Sequence, residues 1–274
     1  MTETSDLSEI DIKTLEDFRK NANTINESDK GIGNESDNIS KSDLEKWKYY
    51  DIVPKFNLKW EEKVYEYGFR LLQYNLKDEG YPMLVIPGYS DKSGQWTFGR
   101  INKFIQSGLF KEKKISSVYI ILFVGLKQII TDVIGQDNFY VSDLPYKISK
   151  DIDKVIRSPK LELKNLVLVG RSAGGSHALN IAENDYVDSL HLACPGYNEI
   201  VIKSFNNSGR KLPISVYWSI NDRYINLKDK DKGLDKLKEL LNQEINEYVY
   251  DYITDESHGK NHRIPSELVK NLFY

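Results

Sequence analysis

The sequence predicts an α/β fold in which a mostly parallel, doubly wound sheet carries helices on both faces. Short apolar segments rich in β-branched residues alternate along the chain with segments whose apolar residues recur at helical spacing. The apolar segments are nearly continuous, which indicates strands that are buried on both faces. Helices of about 10–15 residues between such strands are the usual connections of a parallel sheet.

Each strand and helix is predicted from its own pattern. Continuous apolar segments predict parallel strands at 83–86 (MLVI), 118–124 (VYIILFV), 165–169 (NLVLV), 189–193 (SLHLA) and 214–220 (ISVYWSI). Alternating patterns predict another strand at 247–253 and one or two antiparallel strands within 64–76. Helical spacing predicts helices at 96–105, 148–156, 173–182, 234–241 and 265–273.

Residues 1–46 differ in composition from the rest of the chain. They hold twelve acidic and six basic residues and one aromatic residue, Phe18. Few apolar groups and self-repelling charge leave little burial to offset the entropy of ordering the backbone. The sequence therefore predicts a disordered acidic tail at 1–46, with a docked arm as the alternative, and one folded domain at 47–274.

Composition also excludes several classes of partner and cofactor. The net charge is -3 and no run is rich in Lys and Arg, so we expect no nucleic-acid partner. The longest apolar run, 118–126, is far shorter than the ~20 residues of a spanning helix. Cys194 is the only cysteine, and the N-terminus lacks an apolar signal region, so a cytoplasmic protein is expected. No metal or nucleotide motif is present, and no metal or cofactor is predicted.

The motif Gly170-Arg171-Ser172-Ala173-Gly174 carries the strongest chemical signal. It is a G-x-S-x-G pattern directly after the apolar segment VLV and directly before a helical segment. A serine on such a sharp strand-to-helix turn needs small neighbours, and the helix N-terminus favours developing negative charge. The alternative is a glycine-rich turn with an incidental serine.

On this motif and its strand-turn-helix context, the segment from about residue 81 onward resembles the α/β-hydrolase family. The family's nucleophile, acid and histidine follow in that chain order, which implies Ser172, Asp222 and His258 here. Asp222 follows the strand predicted at 214–220, and His258 lies between the last predicted strand and helix. Asp251 and Asp255 are the alternative acids and His262 the alternative base, whereas His177 and His191 are predicted to be structural.

The resemblance also implies an oxyanion hole built from two backbone N–H groups. One donor should be Ala173, the residue after the nucleophile, and the other Tyr89 in the loop after residues 83–86. Pro87 stands where the family commonly has histidine, so Ser90 remains the alternative second donor.

The predicted function is a carboxylesterase-like serine hydrolase that cleaves a small to medium acyl ester, or a lipid ester, through an acyl-enzyme on Ser172. Segment 194–212 contains one short predicted helix and is too short for a cap domain, so Trp96, Tyr197 and Tyr224 are predicted to line an open pocket. The alternatives are a thioesterase, a peptidase, an acyltransferase with the same triad, and a non-catalytic binding or assembly module. The pattern does not indicate the oligomeric state.

Overall fold

The structure is a computed structural model of the 274-residue chain. It describes residues 7–9, 46–60, 63–89, 91–126, 143–158, 161, 163–220, 222, 233–250 and 264–272.

Strands and helices alternate through most of the described chain. The strands are β1 (Leu7–Glu9), β2 (Trp47–Trp60), β3 (Lys63–Asn75), β4 (Tyr81–Ile86), β5 (Ile115–Val124), β6 (Leu166–Arg171), β7 (Val187–Ala193), β8 (Ile214–Ser219) and β9 (Asn246–Tyr250). The helices are α1 (Asp91–Gln106), α2 (Leu144–Ile156), α3 (Gly174–Ile181), α4 (Glu199–Asn207), α5 (Leu234–Leu240) and α6 (Ser266–Lys270).

The strands of the described residues form one mixed sheet in the order β1-β2-β3-β5-β4-β6-β7-β8-β9. Every neighbouring pair from β5 to β9 is parallel, whereas β1, β2 and β3 add antiparallel pairs at one end of the sheet. The predicted mostly parallel sheet is therefore confirmed. The segment predicted at 64–76 forms one antiparallel strand, β3.

Helices cover both faces of the sheet, as predicted. Alternate residues of β4 point to opposite faces, so Leu84 and Ile86 join one core cluster while Met83 and Val85 join the other. The first cluster receives the apolar residues of α2, α3, α4 and α5, and the second receives those of α1 and α6. Burial on both faces explains why β4, β5, β6 and β8 have continuous apolar sequences, whereas β9, at the end of the sheet, is largely exposed.

The antiparallel end of the sheet contains two strands that the sequence patterns did not predict. β2 pairs with β3 along most of its length, with an irregular register between Ile52 and Phe56. Pro54 lies in that irregular stretch, where it interrupts the strand pattern. β1 pairs with β2 through Leu7–Glu9. Residues 1–6 and 10–45 lie outside the described residues, so the tail and its boundary at residue 46 remain predictions.

The parallel strands bring several loops to one edge of the sheet. β4, β6, β7 and β8 are neighbours, so residues after their carboxyl ends lie along the same edge. Between β7 and β8 the chain forms only α4, which agrees with the absence of a large cap there. In the described part of the chain, no helix combines the length and the apolar character needed to cross a membrane.

Candidate active site

Ser172 lies on the sharp turn between β6 and α3. Its backbone has φ 54, which is the left-handed region that a non-glycine residue seldom adopts. Its N–H donates to the Ala193 carbonyl at 3.1 Å, and its own carbonyl accepts from Gly175 and Gly196, each at 2.8 Å. These three bonds hold a conformation that costs about 1–3 kcal/mol. The Ser172 side chain is partly exposed, whereas its neighbours Arg171 and Ala173 are buried.

The two glycines of the motif provide the space that this turn requires. A Cβ on Gly170 would lie 2.7 Å from Cβ of Ala178 and 2.8 Å from the carbonyl oxygen of Gly174. A Cβ on Gly174 would lie 2.1 Å from the carbonyl oxygen of Ile86 and 2.5 Å from that of Pro87. The loop after β4 therefore packs directly against the first turn of α3.

That packing brings the two predicted oxyanion donors to the same part of the molecule. Ala173 is buried immediately before α3, and Tyr89 follows the Pro87-Gly88 turn that leaves β4. Backbone N–H groups at a helix N-terminus carry partial positive charge. Ser90, the alternative donor, lies outside the described residues.

Asp222 is buried just beyond the carboxyl end of β8, with 5% of its surface exposed. Its backbone N–H donates to the Ser219 carbonyl at 3.3 Å. β7 lies between β6 and β8, so Ser172 and Asp222 occupy the same edge of the sheet two strands apart. A buried carboxylate at this place is the arrangement that a triad acid requires.

Cys194 follows β7, the strand that lies between those that lead to Ser172 and Asp222. Cys194 has φ 43, and its N–H donates to the Tyr217 carbonyl at 2.8 Å. Its thiol lies 3.5 Å from the Tyr250 hydroxyl. Burial first, and then the neighbouring Asp222 carboxylate, raise the pKa of this thiol to about 12. The thiol is therefore uncharged at neutral pH.

The predicted base and several predicted alternatives lie outside the described residues. These are His258, Asp251, Asp255, His262 and the pocket residue Tyr224. The structure thus brings Ser172, Ala173, Tyr89 and Asp222 to one edge of the sheet. The catalytic roles of these residues and of His258 remain predictions.

The other two predicted pocket residues occupy different positions. Trp96 lies within α1. Tyr197 is 7% exposed and belongs to the core cluster on the α3 face, and its hydroxyl donates to the Gly233 carbonyl at 3.4 Å. Their role in lining a pocket remains a prediction.

Both histidines that were predicted to be structural are fully buried. His177 lies on α3, and its Nδ1 is 2.8 Å from Oγ of Ser149. His191 lies on β7 with its ring centroid 6.3 Å from that of Tyr217. Burial lowers the pKa of His177 to about 3 and that of His191 to about 4, so both rings are neutral at physiological pH.

The contact between His177 and the loop after β4 could not be found by sequence reasoning. Its ring lies against Tyr89, the residue that carries a predicted oxyanion donor. The sequence places His177 one helical turn after the motif, which indicates the helix but not the partner. No group of three or more His, Cys, Asp or Glu side chains among the described residues could hold a metal ion.

Comparison with protein-family models finds no match, and comparison with curated proteins finds none. Solved structures do match. The 2,6-dihydroxy-pseudo-oxynicotine hydrolase is 12% identical, with a TM-score of 0.52 over 94% of this chain and 80% of that chain. An α/β serine hydrolase homologue from Coxiella burnetii is 13% identical, with a TM-score of 0.48 over 80% of this chain and 97% of that one. A predicted CIB-like hydrolase from Thermoplasma acidophilum is 14% identical, with a TM-score of 0.46, and the match covers 81% of this chain and 100% of that one.

The chain therefore has the α/β-hydrolase fold. Three observations support this fold: the strand order, the turn at Ser172 and the likeness to the first of these structures. At these identities the likeness concerns the fold alone, and the chemistry must be argued from the residues of this chain.

Proposed function

We propose that the chain is a serine hydrolase that cleaves carboxylic esters of small to medium acyl groups through an acyl-enzyme on Ser172. The observation that carries the proposal is the backbone of Ser172, with φ 54, at a strand-to-helix turn on the carboxyl edge of the sheet. Backbone strain of this kind persists where the surrounding structure holds it, and it clusters at active sites.

In the proposed mechanism, Oγ of Ser172 attacks the ester carbonyl carbon while His258 accepts the serine proton. The N–H groups of Ala173 and Tyr89 donate to the oxyanion of the tetrahedral intermediate. His258 then gives the proton to the leaving alcohol, and the acyl group stays on Ser172. Water, deprotonated by His258, attacks the acyl-enzyme carbonyl. The tetrahedral intermediate collapses, the C–O bond to Ser172 breaks, and His258 gives the proton back to Oγ of Ser172 as the acid is released. The Asp222 carboxylate accepts a hydrogen bond from the second ring N–H of His258 and stabilises the imidazolium.

The electrostatics of the described residues support this division of roles. Asp222 is buried at the carboxyl edge of the sheet beside an uncharged thiol, a position that suits the acid of a triad. His177 and His191 are neutral and fully buried, so neither suits the role of base. Each oxyanion donor contributes about 3–4 kcal/mol to transition-state stabilisation in serine hydrolases, so the placement of Tyr89 should strongly affect the rate.

Labelling with a fluorophosphonate tests the nucleophile directly. We expect the wild-type protein to be labelled on Ser172, Ser172→Ala to remain unlabelled, and Ser204→Ala to be labelled normally. Ser204 is the matched control because it is a partly exposed serine on α4. A folded wild-type protein that reacts with no fluorophosphonate would contradict the proposal and favour a binding or assembly module.

A panel of p-nitrophenyl esters of graded chain length then tests the substrate class. We expect the highest kcat/KM for short to medium acyl chains, because only α4 separates β7 from β8 and no cap domain is present there. Analysis of the products with added alcohols or thiols as acceptors separates hydrolysis from acyl transfer. Exclusive transfer to the added acceptor would replace the esterase proposal with an acyltransferase.

A further inference from the structure

His177 lies beneath the loop that carries Tyr89. Its ring centroid is 5.3 Å from that of Tyr89, with an interplanar angle of 76°, and 5.5 Å from that of Phe123. Tyr89 and Phe123 also contact each other, with centroids 5.4 Å apart. The three rings therefore form a closed group that joins the loop after β4 to β5 and to α3.

A hydrogen-bond chain fixes the orientation of the His177 ring. Oγ of Ser149, on α2, donates to the Pro145 carbonyl at 2.6 Å, and it lies 2.8 Å from Nδ1 of His177. A hydroxyl has one proton, so Ser149 can only accept from the ring while it donates to Pro145. Nδ1 therefore carries the ring proton, and Nε2 is a bare acceptor. Nε2 is buried without a hydrogen-bond partner among the described residues, which suits a neutral ring.

We propose that His177 is a positioning residue that holds the Tyr89 amide in the oxyanion hole by clamping the Tyr89 ring. Two contacts then fix the loop on α3: the Ile86 and Pro87 carbonyls lie against Gly174, and the Tyr89 side chain lies against His177. The inference rests on the proposed function, because it takes the Tyr89 N–H as an oxyanion donor.

The rate of the reaction should depend on such a clamp, because an oxyanion donor works only at the correct distance from the developing charge. Removing one donor typically lowers kcat by about 10²–10³-fold, and a misplacement of about 1 Å can cost ~100-fold. The donor acts on charge that develops in the transition state, so its displacement lowers kcat and leaves KM nearly unchanged. His177 touches no reacting atom in this proposal and acts only through Tyr89.

A double-mutant cycle between His177→Ala and Tyr89→Ala tests the coupling. We expect His177→Ala to lower kcat about 10–100-fold with KM changed less than about 3-fold. In the Tyr89→Ala background, the same substitution should lower kcat by less than about 3-fold, because the clamped ring is already absent. Equal effects in the two backgrounds, or a change in KM alone, would overturn the proposal.

Two further variants separate the ring from its hydrogen bond. His177→Phe keeps an aromatic ring against Tyr89 and loses the bond to Ser149, and Ser149→Ala loses the same bond from the other side. Both variants should lower kcat by less than His177→Ala, because the ring or its position is kept. If His177→Ala does not fold, Tyr89→Ala tests the clamp from the other side, because it removes the clamped ring and keeps the backbone N–H, and a kcat equal to wild type in Tyr89→Ala would refute the clamp.

Hydrogen–deuterium exchange of the peptide covering 83–89 gives a readout that needs no activity. We expect faster exchange in His177→Ala than in wild type. The matched control is His191→Ala, which truncates an equally buried side chain on β7, two strands from β4 and against Tyr217, and should leave the loop amides 88 and 89 of this peptide unchanged. Unchanged exchange in folded His177→Ala would refute the positioning role of His177. A wild-type protein that is inactive and is not labelled by a fluorophosphonate would refute the proposed hydrolase function, but the exchange experiment would still measure the contact between His177 and the Tyr89 loop.

Discussion

The two buried histidines predict a specific loss of stability in mild acid. His177 and His191 are fully buried, and burial lowers their pKa values to about 3 and about 4 from an ordinary value near 6.5. In the unfolded chain both side chains regain the ordinary pKa. Between pH 6.5 and pH 4, the unfolded chain therefore binds protons that the folded protein does not bind.

The sign and size of the effect follow from proton linkage. Because the unfolded state binds more protons in this window, the free energy of unfolding falls as the pH falls below 6.5, and it is independent of these groups above that value. Each histidine should lower the free energy of unfolding by about 2 kcal/mol between pH 7.5 and pH 5.0. Most carboxylates with ordinary pKa values remain ionised at pH 5.0, so they contribute little to this change.

Urea unfolding followed by tryptophan fluorescence measures the effect in wild type, His177→Phe and His191→Phe. The substitutions also change packing, so the quantity compared is the change in the free energy of unfolding between pH 7.5 and pH 5.0 in the same protein. We expect this change to be smaller by about 2 kcal/mol in each variant. If a variant and wild type lose the same free energy, that histidine is not buried in its neutral form, and the account of its burial fails.

Three further predictions concern the site edge. Gly174→Ala places a Cβ 2.1 Å from a backbone carbonyl and should abolish fluorophosphonate labelling, and normal labelling of this variant would contradict the packing. Its control is Gly99→Ala in α1, whose Cβ meets no atom within 4 Å and which should raise the free energy of unfolding by about 0.5–1 kcal/mol. The Cys194 thiol should resist a disulfide reagent at pH 8 in the folded protein and react in urea, because burial raises its pKa to about 12; rapid reaction of the folded protein would show that the thiol is accessible. Asp222→Asn should lower kcat about 10⁴-fold with the fold retained, whereas the control Asp185→Asn, at an exposed position, should have the kcat of wild type. Wild-type kcat in Asp222→Asn would show that another residue is the triad acid.

The parallel core of the sheet was predictable because the pattern of each central strand lies within its own segment of the sequence. A strand that is buried on both faces needs a continuous apolar segment, and β5, β6 and β8 all have one. β2 was missed because its pattern is interrupted by Pro54, and because its pairing with β3 is decided by contact and not by its own composition.

The sequence by itself determined the order of the parallel strands and the helices, the turn at Ser172 and the need for glycine on each side of it. These features depend on neighbouring residues and their allowed backbone angles. Only the tertiary structure decided that Tyr89, Phe123 and His177 meet, and that Asp222 is buried two strands from Ser172. These residues are far apart along the chain, and their contacts depend on how the sheet orders its strands and on which face each side chain occupies. No local pattern encodes that choice, since it is made when the helices and strands pack together.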